Sequence, residues 1–325
     1  MLKSKKVTLK EVAAAVNLAV PTVSQILNGK KNFCSEEQCK RVRRTAQEMG
    51  YVTNIGYRIM TGQETHTVGI MVACQEHMEE EHYRTIVLNL LKNFASRGCA
   101  AFCYILSTDG DKALQEIQEY IGRGVERFVF LGQPFGSDKI FHLLEDLRIP
   151  FIGNTMAFKR YVVNDSSGRR DLLCHIDRKT GGKFQLFWWK SSSKVFKRFF
   201  PEPEDLDYFL ARNRDIPAIN GYYYDETFRI GYELTADVLD NSPEIKGLFF
   251  PNDAFAIGAA KCLTDRKITG FHLAGFNGEK ELLRFPYPVS TAIFDLERIA
   301  DLLAERVFDN DECTVTVPTA LRLVP

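Results

Sequence analysis

The 325-residue chain is predicted to be an α/β protein, with an all-α helix-turn-helix headpiece at the N-terminus followed by two doubly wound parallel-sheet lobes. Three observations carry that prediction. Residues 7–29, VTLKEVAAAVNLAVPTVSQILNG, hold two short amphipathic helical patterns separated by a turn. Charge is segregated: residues 1–62 have 11 Lys and Arg against 4 Asp and Glu and the remainder has 31 against 38, so the formal net charge of zero is a cancellation. From Thr67 onward, apolar runs of strand length alternate with amphipathic helical patterns. A basic head on an acidic body is the electrostatic footprint of a molecule that sets one end on nucleic acid and keeps the rest off it.

The elements follow in order. Thr8 and Glu11 form a capping box (T-L-K-E), which starts a helix near Leu9 with Val12, Ala13 and Val16 on its inner face. Asn17-Leu18 makes the turn, and a second helix presents Val23, Ile26 and Leu27 before ending near Asn28-Gly29. Ser35, with Gln38 at the capping-box position, opens a third helix that Gly50 closes. Residues 51–66 read as a linker with one helical turn around 55–60. Strands are predicted at 67–73, 100–106, 127–132, 150–154, 183–189, 218–224, 247–250 and 271–276. Continuous apolar strands separated by helices imply parallel sheets covered on both faces, and eight units suggest two lobes. In such sheets ligands sit at the carboxyl ends of strands, here the cleft between lobes. The domain expectation is therefore headpiece 1–52, hinge 53–66 and core 67–325.

Composition bounds the function. Hydrophobic residues make up 45 % of the chain, enough for a core in each domain, and no apolar run approaches the ~20 residues needed to span a bilayer. The N-terminus MLKSKKVTLK has no apolar stretch behind its basic residues, so no signal peptide is expected and a cytoplasmic location is. Eight scattered cysteines, without C-x-x-C pairs, read as reduced thiols. G-x-S-x-G, the Walker pattern and H-E-x-x-H are all absent, so a hydrolase, kinase or metalloprotease reading has no support. No cofactor, metal or catalytic residue is expected.

At these residues the chain resembles the LacI/GalR family of bacterial transcriptional regulators over essentially its whole length. The likeness rests on VTLKEVAAAVNLAVPTVSQILNG, EMGYVTNIGYRIM, THTVGIMV, GLFFPNDAFAIGAAKCL, LAGFNG and PTALRL, in matching order and spacing. It implies a DNA-binding headpiece, a hinge helix, and a periplasmic-binding-protein-like core that senses a small effector and dimerises. In a helix-turn-helix the exposed start of the second helix reads the major groove. Those residues here are Val20, Pro21, Thr22, Ser24 and Gln25; an amide at Gln25 suits adenine, which suggests an A·T pair beneath it. Thr8, Thr22, Asn28, Lys30 and Lys31 suit phosphate, and Lys10 and Tyr57 complete the candidate set. Ala19 stands at the usual capping Ser position, and Cys34 resembles a one-residue insertion. At the hinge, the resemblance implies that Met60 wedges into the minor groove beside Arg58; the alternative is an ordinary linker in which Met60 packs on the core.

For the effector, the resemblance points to Asn252 and Asp253 (P-N-D-A), with Asn154 and Asn277 where acids are common in sugar-binding relatives. Residues 75–83, QEHMEEEHY, place three carboxylates and two imidazoles at the cleft mouth, including His82 beside Tyr83. They could take a metal or cationic effector, or simply favour a helix dipole. One of Trp188 and Trp189 is expected in the core, with Trp189 a candidate for the cleft wall. The family's effector arginine is either Arg198 or absent, and Phe294 replaces a polar residue; together these changes suggest a flatter, more aromatic ligand or a weakened sensor. The function read here is a sequence-specific regulator, most simply a repressor, tuned by a sugar-like effector. A solute-binding protein of a transport system is the competing class, and a nucleobase-like or absent effector the alternative within the regulator reading. The implied partners are double-stranded palindromic operator DNA, a small effector and a second copy in a homodimer, with no membrane; one headpiece reads too few base pairs for specificity.

Overall fold

The computed structural model describes residues 7–27, 34–52, 58–59, 64–165, 167–189, 197, 200, 202–217, 223–309 and 314–324. The chain divides into two compact units, Met1–Thr65 and His66–Pro325.

The first unit is a three-helix bundle: α1 (Leu9–Val16), α2 (Val20–Leu27) and α3 (Glu36–Glu48). Thr8 and Glu11 close a reciprocal capping box, with Thr8 N–H donating to Glu11 at 2.7 Å and Glu11 N–H to Thr8 Oγ1 at 3.3 Å. This satisfies two helix-end donors, each cap being worth about 1 kcal/mol. Asn17 takes the left-handed conformation (φ 55°) that turns the chain into α2. Ser35 caps α3, and Gly50 ends it at φ 69°. The core is Val12, Val16, Val23, Ile26, Val42 and Ala46, all buried. Cys34 and Cys39 hold the two hydrophobic-staple positions around the start of α3, their sulfurs 2.8 Å apart.

The second unit contains two parallel sheets, giving two lobes. In the first lobe six strands run in the order β11-β5-β4-β3-β1-β2: β1 (Thr67–Val72), β2 (Ala100–Ile105), β3 (Arg127–Leu131), β4 (Phe151–Gly153), β5 (Tyr161–Asn164) and β11 (Thr314–Val317). Its central strand β1 pairs with both neighbours, Ile70 facing Cys103 on one side and Val129 on the other. The second lobe has four strands in the order β7-β6-β8-β9: β6 (Phe184–Trp188), β7 (Asn213–Asp215), β8 (Gly247–Phe249) and β9 (His272–Ala274). A short antiparallel ribbon joins β10 (Thr291–Ile293) to β12 (Ala320–Arg322).

Helices cover the sheets: α4 (Gln75–Glu79), α5 (Glu81–Ser96), α6 (Gly110–Gly122), α7 (Ser137–Asp146), α8 (Ser167–Thr180), α9 (Pro203–Leu210), α10 (Tyr223–Asn241), α11 (Asp253–Asp265) and α12 (Leu296–Arg306). The buried strands are near-continuously apolar, as sheets covered on both faces require. The first lobe is closed by the end of the chain, because Ile299, Leu302, Leu303 and Val307 of α12 pack with Leu90 and Phe94 of α5.

One predicted element needs correction. The run 218–224 is not a strand over its described part, because Tyr223 and Tyr224 begin α10; residues 218–222 lie outside the described residues. The edge strand of that sheet is instead β7, Asn-Arg-Asp, too polar and short to show an apolar run. Its backbone bonds to β6 hold it in place, with Leu186 N–H donating to Arg212 O at 3.0 Å.

Candidate DNA-reading helix and ligand cavity

In the headpiece α2 stands with its first turn turned outward. Val20 is 38 % exposed and Pro21 is exposed, Thr22 and Gln25 are partly so, and Thr8 and Lys10 are exposed on α1 and its cap. Ser24 is a correction: it is only 7 % exposed, because the packing of the three helices covers the edge of α2's apolar face where it sits. Arg58 and Ile59 have helical backbone, and Ile59 is 40 % exposed. Asn28, Lys30, Lys31, Tyr57 and Met60 lie outside the described residues, as does Arg198.

A cavity of about 300 Å³ lies between the two lobes. Its walls come from strand ends and the loops that follow them. Asn154 follows β4, Asn164 ends β5, Trp189 follows β6, Asn252 follows β8, Asn277 follows β9 and Phe294 follows β10; the first turn of α5 adds His82 and Tyr83, and that of α8 adds Arg169. Carboxyl ends of parallel strands converge at such a crevice because every crossover helix leaves from that edge. Five aromatic and amide positions singled out from the sequence, Asn154, Trp189, Asn252, Asn277 and Phe294, therefore meet here with His82 and Tyr83, and Asn164 joins them. Trp188 is 4 % exposed and stacked on Phe249, whereas its neighbour Trp189 is 36 % exposed and lines the cavity, since successive strand residues point to opposite faces.

Several of these side chains are held by their own bonds. Asn154 Oδ1 accepts the Gly132 N–H at 2.7 Å. Asn252 caps α11, its Oδ1 accepting Phe255 N–H at 3.3 Å. Asn277 sits at φ 119°, a region that side-chain-bearing residues rarely adopt, and its N–H donates to Ala292 O. Asp253 is a correction to the expected effector set. It is fully buried outside the cavity lining, accepting Glu279 N–H at 2.8 Å and the Thr291 hydroxyl at 2.8 Å. The 75–83 segment forms α4 and the start of α5; His77 stacks on Tyr83 with centroids 4.3 Å apart. His82 Nδ1 lies 3.4 Å from Glu80 Oε2. Among the described residues no cluster of three His, Cys, Asp or Glu side chains is arranged to hold a metal.

Arg169 was missed from the sequence. Its guanidinium is buried at the cavity wall, 4.0 Å from the Phe276 ring centroid and 5.3 Å from that of Trp188. The available signal was its place in the first turn of a helix, where the dipole disfavours a cation.

Burial dominates the electrostatics here. It lifts the Glu80 carboxyl to about 8 against the opposing pull of Arg84. It lifts Glu279 to about 8, with Asp253 and Glu80 adding to the effect, and Asp253 to about 7 against its hydrogen bonds. It lowers His82 to about 3, helped by His77 and Arg169. Unfolded carboxyls release protons near about pH 4 and unfolded His near about 6.5. Above pH 7 His82 is neutral in both states, while the folded carboxyls still hold protons that the unfolded chain has lost. Stability is thus expected to fall as pH rises from 7 to 8, by about 1 kcal/mol from Glu80 alone. Thermal midpoints across that range check it: Glu80→Gln should flatten the fall, and a wild-type midpoint that rises would contradict it.

Comparison with known proteins agrees with this architecture. Residues 8–54 match the family model described as bacterial regulatory proteins, lacI family. Among curated relatives, the maltose regulon regulatory protein MalI of Escherichia coli is 27 % identical over 152 residues, which span 47 % of this chain and under half (43 %) of MalI. The regulator IdnR of Escherichia coli is 19 % identical over 97 % of this chain and 96 % of its own length, and CelR of Thermobifida fusca is 24 % identical over 81 % and 78 %. Among solved structures, the lac repressor dimer bound to operator and the anti-inducer ONPF superposes with a TM-score of 0.77 at 15 % identity, covering 98 % of each chain. A CelR–cellobiose complex gives a TM-score of 0.59 at 18 % identity over 98 % of this chain and 99 % of the other. Residues 8–54 thus match the DNA-binding domain of the lacI family, and the regulator relatives and the shared fold of the remainder support a LacI/GalR-family regulator.

Proposed function

We propose that this chain is a homodimeric, operator-specific repressor whose DNA affinity is set by a small polyol-like effector bound between the lobes of its core. The observation that supports it most is the interlobe cavity, in which amides and aromatic faces from both sheets converge. A ligand that touches both lobes has different contacts when the lobes shift, and that difference is what can move a two-state equilibrium. Two relatives fit a sugar-like effector: one solved neighbour holds cellobiose, and a LacI-family regulator from Enterococcus faecium holds ribose. The headpiece 1–52, hinge 53–66 and core 67–325 are the proposed division of labour.

On DNA, Val20, Pro21 and Gln25 are assigned to base edges, and Thr8, Lys10 and Thr22 to phosphates, with Asn28, Lys31, Tyr57, Arg58 and Met60 as further proposed contacts. Gln25→Ala is expected to relax preference at one operator position, worth about 1–3 kcal/mol. Lys10→Ala should weaken binding evenly across sequences and reduce the salt slope by about 0.9. Binding selection from random duplex, with each variant and with candidate sugars, tests the whole assignment. A protein that enriches no palindrome, or a Gln25→Ala protein with unchanged base preference, would defeat it. Light scattering should give about twice the 37.1 kDa chain mass.

A further inference from the structure

We propose that Cys34 and Cys39 form a reversible disulfide site, at which a small-molecule disulfide converts the two thiols into a bond that staples the start of α3 and hardens the headpiece against unfolding. Their sulfurs are 2.8 Å apart. A disulfide holds them at about 2.05 Å, so closure asks for about 0.8 Å of side-chain movement. The backbone on either side is already fixed: Ser35 accepts the Gln38 N–H on its hydroxyl at 3.2 Å and the Cys39 N–H on its carbonyl at 3.0 Å. These bonds clamp the residue before the cap against the fourth residue of the helix. An apolar pair ordinarily packs at those two positions, so a bond there makes an existing contact covalent.

Both side chains are half-buried at the edge of the headpiece core, which leaves the sulfurs within reach of a small reagent. The other described cysteines, Cys74, Cys99, Cys103, Cys174 and Cys262, all lie in the second unit. The Cys34 thiol is raised above its ordinary value, chiefly by its hydrogen bond to Cys39, so the pair rests as thiols and proximity, not acidity, favours closure. With glutathione disulfide as the oxidant the chemistry balances. The thiolate of one cysteine attacks a glutathione sulfur, breaks the S–S bond and releases one glutathione. The other cysteine then attacks the protein sulfur of the mixed disulfide and releases the second. The protein thiols lose two electrons and two protons, and the small disulfide gains them. The closed loop runs from 34 to 39, six residues. Its closure entropy raises the folded-to-unfolded ratio by about 40-fold. The DNA-binding unit thus gains stability while Val20, Pro21 and Gln25, on α2, keep their place.

The test treats the full-length protein with millimolar glutathione disulfide or with dithiothreitol, alkylates the free thiols, and digests with trypsin for mass spectrometry. Cleavage after Lys31 and Lys40 releases residues 32–40 with both cysteines. The oxidised sample should give this peptide unalkylated and two hydrogens lighter, and dithiothreitol should return it to the doubly alkylated form. Hydrogen exchange of the α3 amides is the second readout: oxidation should slow it by about 40-fold, because those amides exchange when the headpiece opens. Cys34→Ser should exchange like the reduced wild type under both conditions, and base preference in binding selection should be the same in both redox states. A peptide that stays doubly alkylated, one that stops at a single glutathione adduct, or a disulfide-linked dimer would overturn the site. Unchanged exchange in the oxidised wild type, equal protection in oxidised Cys34→Ser, or a shifted base preference would overturn the staple. Should Cys34→Ser fail to fold, Cys39→Ser takes its place, and the wild-type peptide map decides the site without either variant.

Discussion

Gly258→Val is expected to unfold the second lobe or to lower its stability by about 4 kcal/mol or more, among the largest losses a single substitution can cause. The helices α10 and α11 cross at two glycines. A Cβ on Gly258 would lie 2.0 Å from the Phe228 carbonyl oxygen, and one on Gly231 would lie 2.1 Å from that of Phe255. Both obstacles are backbone, so no rotamer change relieves them and the helices must separate. Separation would loosen Ile230, Leu234 and Val238 from Phe255, Ala259 and Leu263 in the core of that lobe. Urea unfolding followed by circular dichroism measures the loss. Gly231→Ala and Gly258→Ala should each cost about 1–3 kcal/mol, and the double variant less than their sum, because one separation accommodates both methyls. A Gly258→Val protein with the wild-type midpoint would show that the helices do not cross this closely.

Asp253→Ala is expected to cost about 3 kcal/mol. The carboxylate is the junction of a buried chain in which Gly278 N–H donates to Thr291 Oγ1 at 3.2 Å and the Thr291 hydroxyl in turn donates to Asp253, while Glu279 N–H donates at 2.8 Å. Truncation leaves a buried amide and a buried hydroxyl without their acceptor, each costing about 1–3 kcal/mol. The same bonds tie α11 to the loop that carries Asn277 and to β10, which leads to Phe294. Loss of Asp253 should therefore weaken ligand binding indirectly, by loosening Asn277 and Phe294. A shift below about 1 kcal/mol in urea would mean that water or rearrangement replaces the carboxylate. Asp253→Asn separates charge from shape: it keeps one acceptor oxygen, and should retain more stability than Asp253→Ala.

What could be read from the residues depended on how local the cause was. The capping box at Thr8–Glu11, the left-handed Asn17 and the Ser35 cap are set within four residues, and each formed where the sequence indicated. The strands β1, β3 and β8 announced themselves as apolar runs because both of their faces are covered. The strands β7, β10, β11 and β12 did not: they are three or four residues long, lie at sheet edges or in a two-stranded ribbon, and take their conformation from a partner far away in sequence. Ser24 was read as outward from the resemblance, whereas the packing of the helical bundle covers it.

The sequence by itself determined the headpiece, the alternation that makes a two-lobed α/β core, the segregation of charge, and the likeness to LacI-family regulators. Periodicity, capping and charge are properties of neighbouring residues, and they survive without knowledge of the fold. Only the tertiary structure decided that Asp253 faces a buried network instead of the cavity, that Trp189 and not Trp188 lines it, and that Arg169, Asn164 and Glu80 share its wall. Those outcomes depend on which strand ends and helix starts the crossovers bring together, and on the low dielectric that the enclosure creates, neither of which any short stretch of chain contains.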